Sequence, residues 1–112
     1  MKNPKLPLQD IKNNFYEIDK RIDSLSLEEF ENNFEINRVI KYCFLEFCEA
    51  LNQLRKIIDI ENEKYKEYIY LANRLKHNYW VNRDKILYNE LTSPEFRNFI
   101  KSVEADVEKY LS

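Results

Sequence analysis

None of the 112 residues is glycine, where average usage near 7 % leads to about eight. Every device that needs a backbone without Cβ is therefore excluded. A dinucleotide fingerprint and a Walker-type phosphate loop both require glycines at fixed offsets. Tight two-residue hairpins lean on Asn-Gly or Asp-Gly, so an all-β fold is disfavoured. There is one histidine, one tryptophan and two cysteines. A single histidine without a Cys-x-x-Cys leaves no zinc constellation. Cys43 and Cys48 are five apart, so on one helix they point about 140° away from each other. They read as small buried apolar side chains rather than a disulfide. No apolar run approaches the ~18 residues of a membrane span, and no signal peptide is visible. A soluble cytoplasmic protein that does not contact membrane is expected.

What is present is helical. One domain over residues 1–112 fits the length, and 44 % apolar against 34 % charged residues supports a single core under a solvated surface. Eight Tyr and seven Phe give that core or a subunit interface much aromatic surface. The formal charge is −2, but it is unevenly spread. Arg74, Lys76, Arg83 and Lys85 surround His77, with Asp84 as the opposing charge. A solvated helix end with cations at its C-terminus accounts equally well for that cluster.

Leu8, Ile11, Phe15, Ile18, Ile22 and Leu25 recur at steps of three and four, which predicts a helix over 7–25 with Pro7 in its first turn. Ser26 with Glu29 three residues on reads as a capping box opening a short helix through Glu31, followed by an Asn32-Asn33 loop. Ile36, Ile40, Cys43, Phe47, Leu51, Leu54 and Ile58 mark a second long helix over 36–58. Phe44 and Cys48 widen its stripe, so it should touch more than one neighbour. A third helix falls near 62–78, and a shorter one over 82–92. Ser93-Pro94 opens a last helix over 94–111, with Phe96, Phe99, Ile100, Val103, Val107 and Leu111 inward. The expected fold is all-α, a four- to five-helix up-and-down bundle.

The third helix carries the residues with chemistry. At 100° per residue, Tyr68, Leu71, Ala72 and Leu75 share one side, and Tyr70, Asn73, Arg74 and His77 share the other. A histidine there is by itself an ordinary surface residue. Set among cations, it is also a candidate general acid or base for a phosphodiester, with a cation to stabilise developing charge and aromatic rings to stack on bases. A mechanism with two histidines would need His77 from each half of a symmetric dimer. Asn78 is a candidate left-handed cap to this helix.

The segment Ala72-Asn73-Arg74-Leu75-Lys76-His77-Asn78-Tyr79-Trp80 resembles the signature of HepT-like proteins of the HEPN superfamily: Arg, a polar residue, three positions, His, any residue, Tyr. Asp10-Ile11, Ser26-Leu27-Glu28-Glu29-Phe30, Glu49-Ala50 and Asp84-Lys85-Ile86-Leu87-Tyr88 match further points of the same pattern in the same order. The resemblance implies a HEPN-like bundle that forms a symmetric homodimer through its motif helices. It implies a toxin of a toxin–antitoxin pair, a metal-independent ribonuclease that needs no cofactor. Its partner would be a minimal nucleotidyltransferase antitoxin that adds adenylate groups to the motif tyrosine. His77 takes the place of the catalytic histidine, Asn73 the polar position and Tyr79 that of the modified tyrosine. Tyr70, Lys76, Trp80 and Arg83 are candidate RNA or nucleotide contacts.

The motif arginine is replaced by Ala72, five before His77. Arg74 is the nearest guanidinium, about 160° round an ideal helix from position 72. Cys48 and Val81 stand where the family often has glycine. The resulting expectation is a HepT-like partner and substrate of the nucleotidyltransferase with weak or lost ribonuclease activity. One alternative is an active endoribonuclease toxin using His77 across the dimer interface, with Arg74 as a displaced cation. The other is a non-catalytic helical dimer that binds nucleotide or protein. Two further points stay open: Tyr79 and Trp80 read equally as interface or core aromatics, and Glu49 as a buried carboxylate pairing with an Arg near the interface or as a solvated one.

Overall fold

A computed structural model describes residues 2–77 and 83–112. Among the described residues six helices follow one another: α1 (Lys5–Ile22), α2 (Leu27–Asn32), α3 (Phe34–Ile58), α4 (Glu63–His77), α5 (Arg83–Leu91) and α6 (Pro94–Leu111). The protein is all-α, with four long helices and two short ones. The short α2 stands as a helix of its own because a capping box closes its start. Ser26 Oγ accepts from the Glu29 N–H at 3.1 Å, and the Glu29 carboxylate accepts from the Ser26 N–H at 3.0 Å. That bond to the Ser26 backbone also holds the Glu29 carboxyl below its usual pKa. The expected Asn32-Asn33 loop shrinks to one residue, because Asn32 ends α2 and the Asn33 side chain caps α3 by accepting from the Ile36 N–H at 3.1 Å. Ser93 caps α6, with Pro94 at its first position.

A chain without glycine must end its helices differently. Asp59 caps α3 in the left-handed region, at φ 50° and ψ 51°, and is the one positive-φ residue among the described residues. Only glycine reaches that region freely, but Asp tolerates it better than most. The Ile60 N–H then closes the turn on the Arg55 carbonyl at 3.3 Å.

α3 is the central helix and packs against α1, α2 and α4, while α6 packs against α1 and α5. Its buried residues, from Ile40 through Phe44, Phe47, Leu51 and Leu54 to Ile58, form the wide stripe expected of a helix with several neighbours. Aromatic rings fill the space where the long helices meet. Phe47 of α3 lies 5.4 Å from Phe96 of α6 and 6.3 Å from Tyr68 of α4, and Tyr68 lies 4.8 Å from Phe99. Phe15 of α1 closes the group against Phe96 at 5.3 Å. These distances lie in the range where tilted and edge-on pairs add to burial.

Two details of the predicted core change. Leu111, at the last turn of α6, is half exposed rather than inward. Leu25 lies beyond the end of α1, partly buried against the core. Both cysteines are free and buried, and burial raises both thiols above their usual pKa.

Candidate functional site on the motif helix

α4 starts where the Asn62 side chain accepts from the Lys64 N–H at 2.9 Å, and its two sides differ as the spacing predicts. Tyr65, Tyr68 and Ala72 are buried, with Leu71 and Leu75 packed on the core. On the other side Asn73, Lys76 and His77 are exposed, Tyr70 is 59 % exposed, and Arg74 is half-buried. The structure thus brings Tyr70, Asn73, Arg74 and His77 to one outer face, ending in the histidine.

Within that face Arg74 turns back along the helix. Its Nη1 donates to the Tyr70 hydroxyl at 3.2 Å, and its guanidinium carbon lies 5.7 Å from the Tyr70 ring centroid. The position five before His77 behaves oppositely. Ala72 is 3 % exposed and belongs to the side of α4 that packs on the core. The guanidinium of Arg74 is engaged a full turn before His77, on a different side of the helix from position 72. An exposed imidazole with an amide one turn earlier can exchange a proton with a bound phosphodiester.

The inner side of α4 is fixed by polar contacts that the hydrophobic pattern hid. Tyr65, which the periodicity left out, is fully buried and donates its hydroxyl to Asp106 Oδ2 at 2.8 Å. Burial first, and that bond second, push the Tyr65 hydroxyl well above the usual tyrosine range. Tyr68 is raised likewise, by burial first and then by the neighbouring Glu90 carboxylate. The Cys48 thiol donates to the Tyr68 carbonyl at 3.3 Å, so this residue sits where α3 and α4 touch. Glu49 beside it is exposed.

Asp84 does not balance the cations near His77. It lies in the first turn of α5 and is ion-paired with Lys41 of α3 at 2.6 Å. Asn37, the one buried polar residue among the described residues at 8 % exposure, donates to Asp84 Oδ2 at 3.1 Å and to the Phe30 carbonyl at 3.0 Å. One amide therefore ties α2, α3 and α5 together. Tyr88, one turn further along α5, donates to the Leu25 carbonyl at 2.6 Å. The Asp84…Tyr88 spacing has a structural use: both residues dock α5 on the first half of the chain.

Arg83, grouped with the motif cations in the sequence, is half-buried at the start of α5. It lines a cleft of about 610 Å³ with Phe34, Arg38 and Lys41 of α3. The other three gave little signal in the sequence; the only trace is an aromatic residue followed by arginine four positions on. Tyr79 and Trp80, together with the Asn78 cap, lie outside the described residues. Among the described residues no group of three or more His, Cys, Asp or Glu side chains could hold a metal ion, and no helix is long and apolar enough to cross a membrane.

A family model described as ribonuclease HepT-like matches residues 11–103. The match runs from the middle of α1 to the middle of α6 and takes in the whole motif helix. Neither a curated protein nor a solved structure matches the chain.

Proposed function

The chain belongs to the ribonuclease HepT-like family, and from that membership we propose a HepT-like component of a toxin–antitoxin pair whose ribonuclease activity is weak or lost. In this reading the protein acts in the cytoplasm as a symmetric homodimer through α4. It contacts RNA with the outer face that carries Tyr70, Asn73, Arg74, Lys76 and His77. It is the partner of a minimal nucleotidyltransferase antitoxin, with Tyr79 as the acceptor of adenylate.

The observation that carries this reading is the pair of placements at positions 72 and 74. Ala72 has no charge to offer and faces the core, while the Arg74 guanidinium is engaged by Tyr70. A phosphodiester near His77 therefore lacks the cation that the motif would supply from position 72. Removing one group that stabilises transition-state charge costs on the order of 10²–10³ in rate. His77 keeps its place for proton transfer, so a residual activity would depend on it.

The test uses the purified protein with a single-stranded RNA in the presence of EDTA, and the protein co-expressed with a minimal nucleotidyltransferase. Slow or absent cleavage, together with an intact mass raised by adenylate and lost in Tyr79→Phe, supports the reading. Rapid cleavage abolished by His77→Ala would instead favour the active toxin.

A further inference from the structure

We infer that the cleft between α2, α3 and α5 is a second contact for single-stranded RNA, holding one base on Phe34 and the adjoining phosphate between Arg38 and Arg83. The inference rests on the reading that the chain engages RNA, and adds a binding site away from the outer face of α4.

Phe34 is the first residue of α3 and, although large and apolar, is 70 % exposed. The Arg38 guanidinium lies over its ring, 5.2 Å from the centroid. Bases splayed out of a single strand stack on aromatic rings and on guanidinium planes, so the pair can take a base on the face of the ring that Arg38 does not cover. Arg83 comes from the other half of the chain to line the same cleft. Every salt bridge among the described residues uses cations other than Arg38 and Arg83. Asp84 also lines the cleft, but its charge is met by Lys41 at 2.6 Å and by the Asn37 amide at 3.1 Å. Lys41 is therefore spent on Asp84, and the two arginines remain for a phosphate. Glu31 on the same wall sets the limit: the cleft is mildly cationic, and the ring must supply much of the affinity.

The chemistry separates RNA from an acidic peptide. Carboxylates would use the two arginines and leave the ring idle. A nucleotide uses both at once. The cleft, of about 610 Å³, is open to solvent and would leave a bound strand free to run on past it.

The test is fluorescence anisotropy of a labelled, unstructured single-stranded RNA, with helix content checked by circular dichroism. Phe34 and Arg38 are exposed, so their variants should fold. Phe34→Leu keeps apolar volume and removes the π face; it should weaken binding by about five- to one-hundredfold, the usual loss for one stacked base. Phe34→Tyr should bind like the wild type. Arg38→Gln and Arg83→Gln should each weaken binding and lower the slope of log affinity against log salt by about 0.7. Wild-type binding with unchanged affinity in Phe34→Leu and in both arginine variants overturns the cleft and leaves the RNA reading standing. No RNA binding by the wild type overturns both. Equal competition by polyglutamate, with Phe34→Leu neutral, overturns it in favour of an acidic peptide.

Discussion

Replacing Asn37 by alanine removes the amide that ties the start of α5 to α2 and α3, and its cost can be worked out from the contacts. The bond to the Phe30 carbonyl, at 3.0 Å and buried, is of the neutral kind that contributes about 0.5–1.5 kcal/mol. The bond to Asp84, at 3.1 Å, has a charged acceptor and contributes roughly 1.5–3 kcal/mol. Asp84 keeps Lys41 and is partly reached by water, which offsets some of the loss. A net cost of about 2–4 kcal/mol follows, a large share of the 5–15 kcal/mol typical of a domain. For a chain of this size it corresponds to a Tm lower by roughly 8–16 °C. Urea unfolding followed by far-ultraviolet circular dichroism measures it, with an unchanged slope against denaturant as the sign that only stability has moved. Because the same amide positions Asp84, Arg83 next to it should also lose its place over the cleft, and RNA affinity should fall in the same variant. A loss below about 0.5 kcal/mol would refute the assignment of Asn37 as the residue that docks α5.

Four other outcomes are expected. Phe47→Ala empties the centre of the aromatic cluster and should cost about 3–5 kcal/mol, read by the same unfolding curve. Asp59→Gly should leave stability unchanged or raise it slightly, while Asp59→Ala should lower it by about 1 kcal/mol, since φ is 50° there. Tyr65 and Tyr68 are held protonated in the fold, whereas the unfolded chain releases those protons near pH ~10. The unfolded state then binds fewer protons, so stability present at neutral pH should fall above that pH by about 1.4 kcal/mol per unit for each tyrosine; Tyr65→Phe should flatten the fall. A thiol reagent should label Cys43 and Cys48 only on unfolding, because both are buried with raised pKa values.

The helices were legible because each carries a local signal. Ser26 with Glu29 and Ser93 with Pro94 mark starts through short-range hydrogen bonds, and the stripe from Ile36 to Ile58 needs only a period of 3.6. The two sides of α4 were legible for the same reason, so the outer face of Tyr70, Asn73, Arg74 and His77 came out as the spacing implied. What escaped depends on contacts between distant segments. Asn37 looks like a polar interruption of an apolar stripe until Asp84 is brought to it across the fold. Tyr65 reads as a stray aromatic until Asp106 meets its hydroxyl. Arg83 sits six residues after His77, and adjacency in sequence grouped it with the motif cations. The first turn of α5 instead carries it into the cleft lined by Phe34 and Arg38. Leu111 obeys the apolar period of α6 and is still half exposed, since a period does not report how fully a neighbour covers each position.

In the proposed reading this HepT-like chain has the motif histidine at His77 but no arginine at position 72, which is a core-facing alanine. The most direct measurement is the single-turnover rate of RNA cleavage by the purified protein in EDTA, beside His77→Ala. The expected rate is within about tenfold of the His77→Ala background, given the 10²–10³ that a missing charge costs. Cleavage several hundredfold above that background, lost on replacing His77, would contradict it.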